Sequence, residues 1–216
     1  MSAFFPFELE PPPWLYRLLV RLGLMRRLYR RLAADLVAGA PRDGLLVDVG
    51  AGTGQLLAMV ASRRPDLRLL AIDHAPAMLQ PGFPSTHRLS GPPRPWRLVG
   101  DAAALPLADA CGDLAVATFS FHTWAHPVRG LQEMRRLVKP GGQIWIYEMN
   151  REARLEQLRS LAQEEALPFL LVAAGFKLLS WNHALRAADF AASFAQAGLS
   201  NWELQVAHHF LWRAVC

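Results

Sequence analysis

The run Val47-Asp48-Val49-Gly50-Ala51-Gly52-Thr53-Gly54-Gln55 constrains the fold of this chain more than any other stretch. A short apolar strand, Leu45 to Val49, enters three closely spaced glycines and leaves them as a helical pattern from Thr53 to Arg63. Glycine lets the backbone take positive φ and lets a ligand approach the main chain closely. In an open parallel sheet, ligands lie beyond the carboxyl ends of the strands, where amides at a helix start can hold an anion. The spacing here is GxGxG. A nicotinamide or flavin fingerprint has GxGxxG, and a Walker phosphate loop needs a Gly-Lys-Ser/Thr that this stretch lacks.

Strand and helix patterns then alternate. Leu67 to Ile72 reads as a second strand ending at Asp73, Trp96 to Val99 as a third ending near Asp101, and Leu114 to Phe119 as a fourth. Pro127 to Val138 is helical and stops at Lys139-Pro140-Gly141-Gly142, after which Gln143 to Tyr147 is a fifth strand. This alternation argues for an α/β fold with a parallel sheet covered by helices on both faces. Asp189 to Ala197 is a helix closed by Gly198, and Asn201 to Ala207 and His209 to Val215 follow as two strands. Two strands with no helix between them imply an antiparallel pair at the sheet edge.

At 216 residues the chain suits one domain. Its patterns divide it into an N-terminal arm and helical cap (1–41), a core (42–150), a helical insert or lid (151–187), and a closing helix with its strand pair (188–216). In the cap, Leu18, Leu22, Met25, Tyr29, Leu32 and Leu36 step by three and four along one helix face, and Gly23 is placed to split that helix in two. Residues 81–95, rich in Pro and Gly, are expected to replace most of a helix between the second and third strands.

Hydrophobic residues at 52% and charged residues at 19% argue against disorder. The longest apolar run, Ala166 to Phe176, contains Pro168 and falls well short of the roughly 20 residues a helical membrane span needs. The first residues lack the basic start and apolar centre of an export signal. Two cysteines, Cys111 and Cys216, support neither a disulfide scaffold nor a cysteine metal site, and they fit the reducing cytoplasm. The net charge of +5 concentrates in Arg17, Arg21, Arg26, Arg27, Arg30 and Arg31. Such a cluster is a solvated helix face, or it meets an anionic membrane, a nucleic acid or an acidic partner.

The glycine run, together with AIDHAPAML, GDAAALPLAD and LQEMRRLVKPGGQIWIYE in that order, resembles the class I S-adenosylmethionine-dependent methyltransferases. It is most similar to the small-molecule branch that includes the ubiquinone/menaquinone methyltransferases. The resemblance covers about residues 45–150, and the closing strand pair extends it. It implies a Rossmann-like, seven-stranded, mostly parallel sheet with an antiparallel C-terminal edge strand and helices on both faces. It implies S-adenosyl-L-methionine as cofactor and no metal. By the resemblance, Gly50, Ala51, Gly52, Thr53 and Gly54 form the turn against the methionine part of the cofactor, and Asp48 helps organise its amino group. Asp73 accepts from the ribose hydroxyls, His74 and Met78 flank the adenine, and Asp101 with the Ala102 amide meets the adenine edge. Phe119 and Ser120 wall the sulfonium.

The reaction implied is direct methyl transfer to a small molecule. His122, three residues beyond Phe119, is the best-placed candidate for a catalytic base, with packing or substrate orientation as its other reading. His126 and Glu148 are further candidates at strand ends, Glu148 reading as structural. Phe121, Trp124 and Tyr147 are expected near the crevice, and aromatics of the cap and insert would suit an aromatic or lipophilic substrate. The Asn/Asp-Pro-Pro-aromatic motif of nucleic-acid amino methylation is absent after the fourth strand, so a nucleic-acid substrate is not expected. Two alternatives remain. One is a lipid quinone substrate with peripheral membrane contact through helix 14–38. The other is a non-catalytic protein that uses the cofactor fold to bind a partner.

Overall fold

Parallel strands buried on both faces are apolar along their whole length, and strand β1 (Leu45–Val49) is buried at all five residues. The structure is a computed structural model that describes residues 23–79, 95–180 and 184–216. β1 pairs in parallel with β2 (Arg68–Asp73) on one side and with β4 (Gly112–Thr118) on the other. β3 (Trp96–Val99) lies outside β2, and β5 (Val138–Met149) lies beyond β4. The seven strands stand in the order β3-β2-β1-β4-β5-β7-β6, with β6 at Glu203–Ala207 and β7 at Leu211–Val215.

β7 runs antiparallel to both β5 and β6, so six strands share one direction. The antiparallel pair sits at the sheet edge as expected, with β7 on the inside and β6 outermost. The strand order reverses between β1 and β4, and this is where a doubly wound sheet opens a crevice.

Side chains alternate across each strand, and the helices divide accordingly. On one face, Leu46 and Tyr147 meet α1 (Leu24–Gly39), α2 (Gln55–Ala61), α4 (Leu155–Glu164) and α5 (Phe169–Ser180) in a core that includes Leu36, Leu57 and Leu161. On the other, Val47 and Ile146 meet α3 (Pro127–Leu137) and α6 (Ala187–Gln196) around Met134, Phe190 and Phe194.

Gly23, at φ +69°, caps the start of α1. The helical pattern expected from Trp14 to Leu22, with Arg17 and Arg21, falls outside the described residues, as does most of the 81–95 loop. The α1 stripe is inward-facing: Leu32 and Leu36 have no exposed surface. Gly39 lies under the Trp145 ring, where any Cβ would collide. β5 begins earlier than its sequence pattern predicts. Gly112 pairs with Val138 and Leu114 with Gln143, so Lys139-Pro140-Gly141-Gly142 forms an irregularity inside the strand, with Gly141 at φ +79°. Among the described residues, no helix is long and apolar enough to cross a membrane.

Candidate cofactor and active site

Gly50, Gly52 and Gly54 all take positive φ, at +77°, +54° and +72°. The Gly50 and Ala51 amides donate to the Ile72 carbonyl at 2.8 and 2.9 Å, and the Gly52 amide donates to Asp73 Oδ2 at 2.8 Å. Asp73 Oδ1 accepts from the Ala75 amide at 2.9 Å. The main chain therefore fastens the Asp73 carboxylate at both oxygens, and each oxygen keeps a second lone pair for a ligand. A Cβ on Gly50 would collide with Ser120, whereas a Cβ on Gly52 would meet nothing within 4 Å. Gly50 is thus required by close packing, and Gly52 opens the cradle. Thr53 is half-buried beside it.

Ser120 closes the crevice floor: its hydroxyl donates to the Val49 carbonyl at 2.9 Å. Phe119, at φ +53°, leaves β4 in a conformation uncommon for a bulky residue. Its ring meets Tyr29 of α1 edge-on, with centroids 6.3 Å apart, which brings the cap to the crevice wall.

Asp48 has a different environment. It is 1% exposed, and its Oδ1 has no hydrogen-bond partner. Burial first, and the Asp73 charge second, push its carboxyl up to about 7. An unpartnered buried carboxylate beside an open glycine cradle fits a ligand that brings a cationic amine. Asp101 lies exposed past β3, where its Oδ1 accepts from the Ala103 amide at 2.9 Å and Ala102 packs against the core. The Gly100 amide ties this turn to the Asp73 carbonyl at 3.1 Å. The His74 side chain is exposed, with Nδ1 3.6 Å from Asp73 Oδ1, and Met78 is also exposed. Asp48, Asp73 and Asp101 thus stand at or just beyond the ends of three adjacent strands.

On the other side of the crevice, His122 lies in a short helical turn, Phe121–Thr123. Its Nδ1 is 2.9 Å from Glu148 Oε2, and its amide donates to Glu148 Oε1 at 3.2 Å. Glu148 is fully buried. His126 is exposed at the start of α3, where its carbonyl accepts from the Gly130 amide.

Two of the aromatics expected at the crevice lie in the core. Phe121 is 3% exposed, between Trp124 and Phe190, because the turn after β4 folds it onto α6. Tyr147 is fully buried on the α1 face of β5, and its hydroxyl donates to Asp35 Oδ2 at 3.0 Å. Trp124 packs over Gly130 and approaches Gly50.

Sequence reasoning missed the polar network that holds the cap. The β6–β7 turn carries His208 and His209 at φ +48° and +73°. His208 Nε2 lies 2.9 Å from Asp35 of α1, and His209 Nε2 lies 2.6 Å from Glu164 at the end of α4. His208 and the Tyr147 hydroxyl hold the Asp35 carboxyl below its ordinary range despite burial. Arg27 and Arg31 of α1 both pair with Glu165, at 2.9 and 2.6 Å, and Arg31 also pairs with Glu164 at 2.9 Å. Two arginines of the basic cluster therefore bind α1 to α4, and Arg26 and Arg30 remain exposed. Between α1, α4, α5 and the β6–β7 turn lies a small apolar cavity lined by Met25, Met149, Leu158, Phe176 and Phe210. The only sequence signal for the network was its residue types, since no local spacing connects them.

Residues 47–146 match a family described as a methyltransferase domain. The chain is 35% identical over 136 residues to the malonyl-[acyl-carrier protein] O-methyltransferase of Methylococcus capsulatus, covering 61% of this chain and 48% of that protein. It is 32% identical over 128 residues to the demethylmenaquinone methyltransferase of Deinococcus radiodurans, covering 59% and 51%. The chain thus spans about half the length of these curated relatives. Its fold is similar to that of a crystal structure of an S-adenosylmethionine-dependent methyltransferase from Aquifex aeolicus, with a TM-score of 0.62 at 18% identity, covering 88% of this chain and 90% of that one.

Proposed function

We propose that this chain, whose residues 47–146 match a methyltransferase domain, is an S-adenosylmethionine-dependent methyltransferase that transfers a methyl group directly to a small aromatic or lipophilic molecule. S-adenosyl-L-methionine is its cofactor. The observation that carries the reading is the set of three carboxylates, Asp48, Asp73 and Asp101, around a glycine cradle left open at Gly52.

The residue roles proposed are those the resemblance implies, and that geometry supports them. Asp48, buried and unpartnered at Oδ1, faces the amino group of the cofactor. Asp73 accepts from the ribose hydroxyls with its remaining lone pairs. His74 and Met78 flank the adenine, a soft thioether being a suitable neighbour for an aromatic base. Asp101 and Ala102 meet the adenine edge. The main chain of Gly50 to Gly54 borders the methionine part, and Phe119 with Ser120 walls the reacting centre. The cofactor supplies a methyl group on sulfonium, a good leaving group, so the protein chiefly aligns the partners and excludes water. Alignment of this kind contributes roughly 7–11 kcal/mol. His122 accepts a proton where the acceptor carries one. The cytoplasm is the proposed compartment, supported by two free cysteines.

The test is mass spectrometry of small molecules released from the purified protein, with thermal shifts against S-adenosylmethionine, S-adenosylhomocysteine and NAD. A ligand of the folded state at 100 times its dissociation constant adds roughly 2.7 kcal/mol. Stabilisation by the sulfur nucleosides and not by NAD is expected. Binding of neither would replace this reading by that of a non-catalytic partner-binding protein.

A second reading, methylation of a membrane-embedded lipid quinone, is favoured by the apolar cavity under the cap and by Leu155 and Leu170, exposed on α4 and α5. Contact of helix 14–38 with anionic lipid belongs to this reading, with Arg26 and Arg30 exposed among the described residues. Co-sedimentation with anionic liposomes at low salt tests it, and a protein left in the supernatant counts against it.

A further inference from the structure

We infer that Glu148 is a positioning residue that makes His122 a base, so that the methyl acceptor is an O–H or C–H acid: a phenol, an enol, or a carbon flanked by carbonyl groups. This inference rests on the methyl-transfer reading above and narrows its substrate class.

Glu148 is the penultimate residue of β5, fully buried, on the face opposite Tyr147 and Met149. Both of its oxygens meet the same residue. Oε1 accepts from the His122 amide at 3.2 Å, and Oε2 lies 2.9 Å from the ring Nδ1. A carboxylate that bridges the main chain and the ring of one histidine fixes where the ring sits and how it is turned. Among the described residues, the ion-pair partner of Glu148 is His122. The His122 side chain is 13% exposed and the Glu148 side chain is fully buried.

Stability is a weak reason for such a pair, because well-packed apolar side chains of similar volume serve as well or better. Its chemistry is more specific. A carboxylate facing Nδ1 selects the tautomer with the proton on Nδ1, leaves the lone pair on Nε2, and stabilises the imidazolium once a second proton arrives. The turn that carries His122 follows Phe119 and Ser120 directly, and Ser120 bonds the end of β1. The pair therefore stands at the carboxyl ends of β4 and β5, on the side of the sheet where the crevice opens.

The step balances. The acceptor proton passes to Nε2 of His122, and the electron pair it leaves forms the bond to the methyl carbon. The carbon–sulfur bond breaks with its pair going to sulfur, which becomes a neutral thioether. The positive charge moves from sulfur to an imidazolium that Glu148 faces. A carboxylate acceptor, already ionised at neutral pH, needs no such base, and a neutral amine attacks with its own lone pair.

The deciding measurement is long-range 1H–15N NMR of the His122 ring in the full chain. The proton is expected on Nδ1 in the wild type, and on Nε2 or divided between the two neutral tautomers in Glu148→Gln. A wild-type proton on Nε2 overturns the inference, and this result needs no variant to fold. Turnover with S-adenosylmethionine and matched probes, 1-naphthol and 1-naphthoic acid, tests the acceptor class. Transfer to the naphthol is expected, with kcat falling about 10²–10⁴-fold in His122→Asn, and less in Glu148→Gln at unchanged KM. Transfer to the acid, or naphthol turnover indifferent to both substitutions, overturns it. Calorimetry with S-adenosylhomocysteine separates the two readings: a wild type that binds none sinks the methyltransferase reading, whereas binding with the proton on Nε2 sinks the role of Glu148 alone.

Discussion

The glycine cradle and the helical cap flank the same crevice and are held together by different means. The cradle is built from main chain. Three successive amides bond the end of β2, and the Gly52 to Asp73 link spans 21 residues. The cap is built from side chains. Arg27 meets Glu165 across 138 residues, and Asp35 meets His208 across 173. Backbone geometry tolerates little change, whereas solvated ion pairs contribute little each. The cradle should therefore break at single atoms, and the cap should loosen gradually.

Gly50→Ala should produce the largest effect. The added Cβ meets Ser120 in a backbone at φ +77°, and strain with overpacking should cost about 3–5 kcal/mol in denaturant unfolding. Gly52→Ala has open space at φ +54° and should lose only about 1–2 kcal/mol, yet weaken S-adenosylhomocysteine binding in calorimetry. Equal destabilisation by the two would refute the division between a packed and an open glycine.

Asp48→Asn should come next, in the opposite direction. The folded state holds the Asp48 proton up to about pH 7, against an ordinary value of 3.8. Its contribution to stability therefore falls as pH rises from about 4 to 7 and is constant above. The variant should lack this decline and gain on the order of 2–4 kcal/mol over the wild type at pH 8. A cationic amine at Asp48 favours the ionised carboxylate, so wild-type affinity for S-adenosylhomocysteine should rise between pH 6 and 8 while that of the variant stays flat.

Within the cap, Glu165→Gln releases both arginines of α1 and should cost about 1 kcal/mol, with cofactor affinity unchanged. Burial and the arginines act in opposite directions on this carboxyl, and the arginines prevail in holding it below its ordinary range. The wild-type advantage should therefore fade as the pH drops through the acid range. His209→Ala removes a contact to a half-exposed Glu164 and should leave the denaturant midpoint almost unchanged, because solvated pairs contribute least. A cap mutation as damaging as Gly50→Ala would show that the two regions are not held differently.

What could be read early follows the same division. The alternation of strands and helices, the glycine turn and the three strand-end carboxylates are set by local periodicity and by acids placed where strands end. The Lys139-Pro140-Gly141-Gly142 segment misled, because tertiary pairing with Gly112 carried β5 back through a stretch whose residues ordinarily stop a helix. Phe121 and Tyr147 misled in another way: position near a strand end does not say whether a ring turns to the crevice or to the core.

Neighbouring residues alone set the strand–glycine–helix unit, since only glycines take three positive φ angles in five residues without strain. Strand parity also separated Tyr147 from Glu148 onto opposite faces. Which partner each side chain meets came from long-range packing: Asp35 for Tyr147, His122 for Glu148, Glu165 for two arginines of α1. Backbone conformation is constrained by neighbours in the chain, but a side chain's partner depends on the register and packing of elements far apart in it.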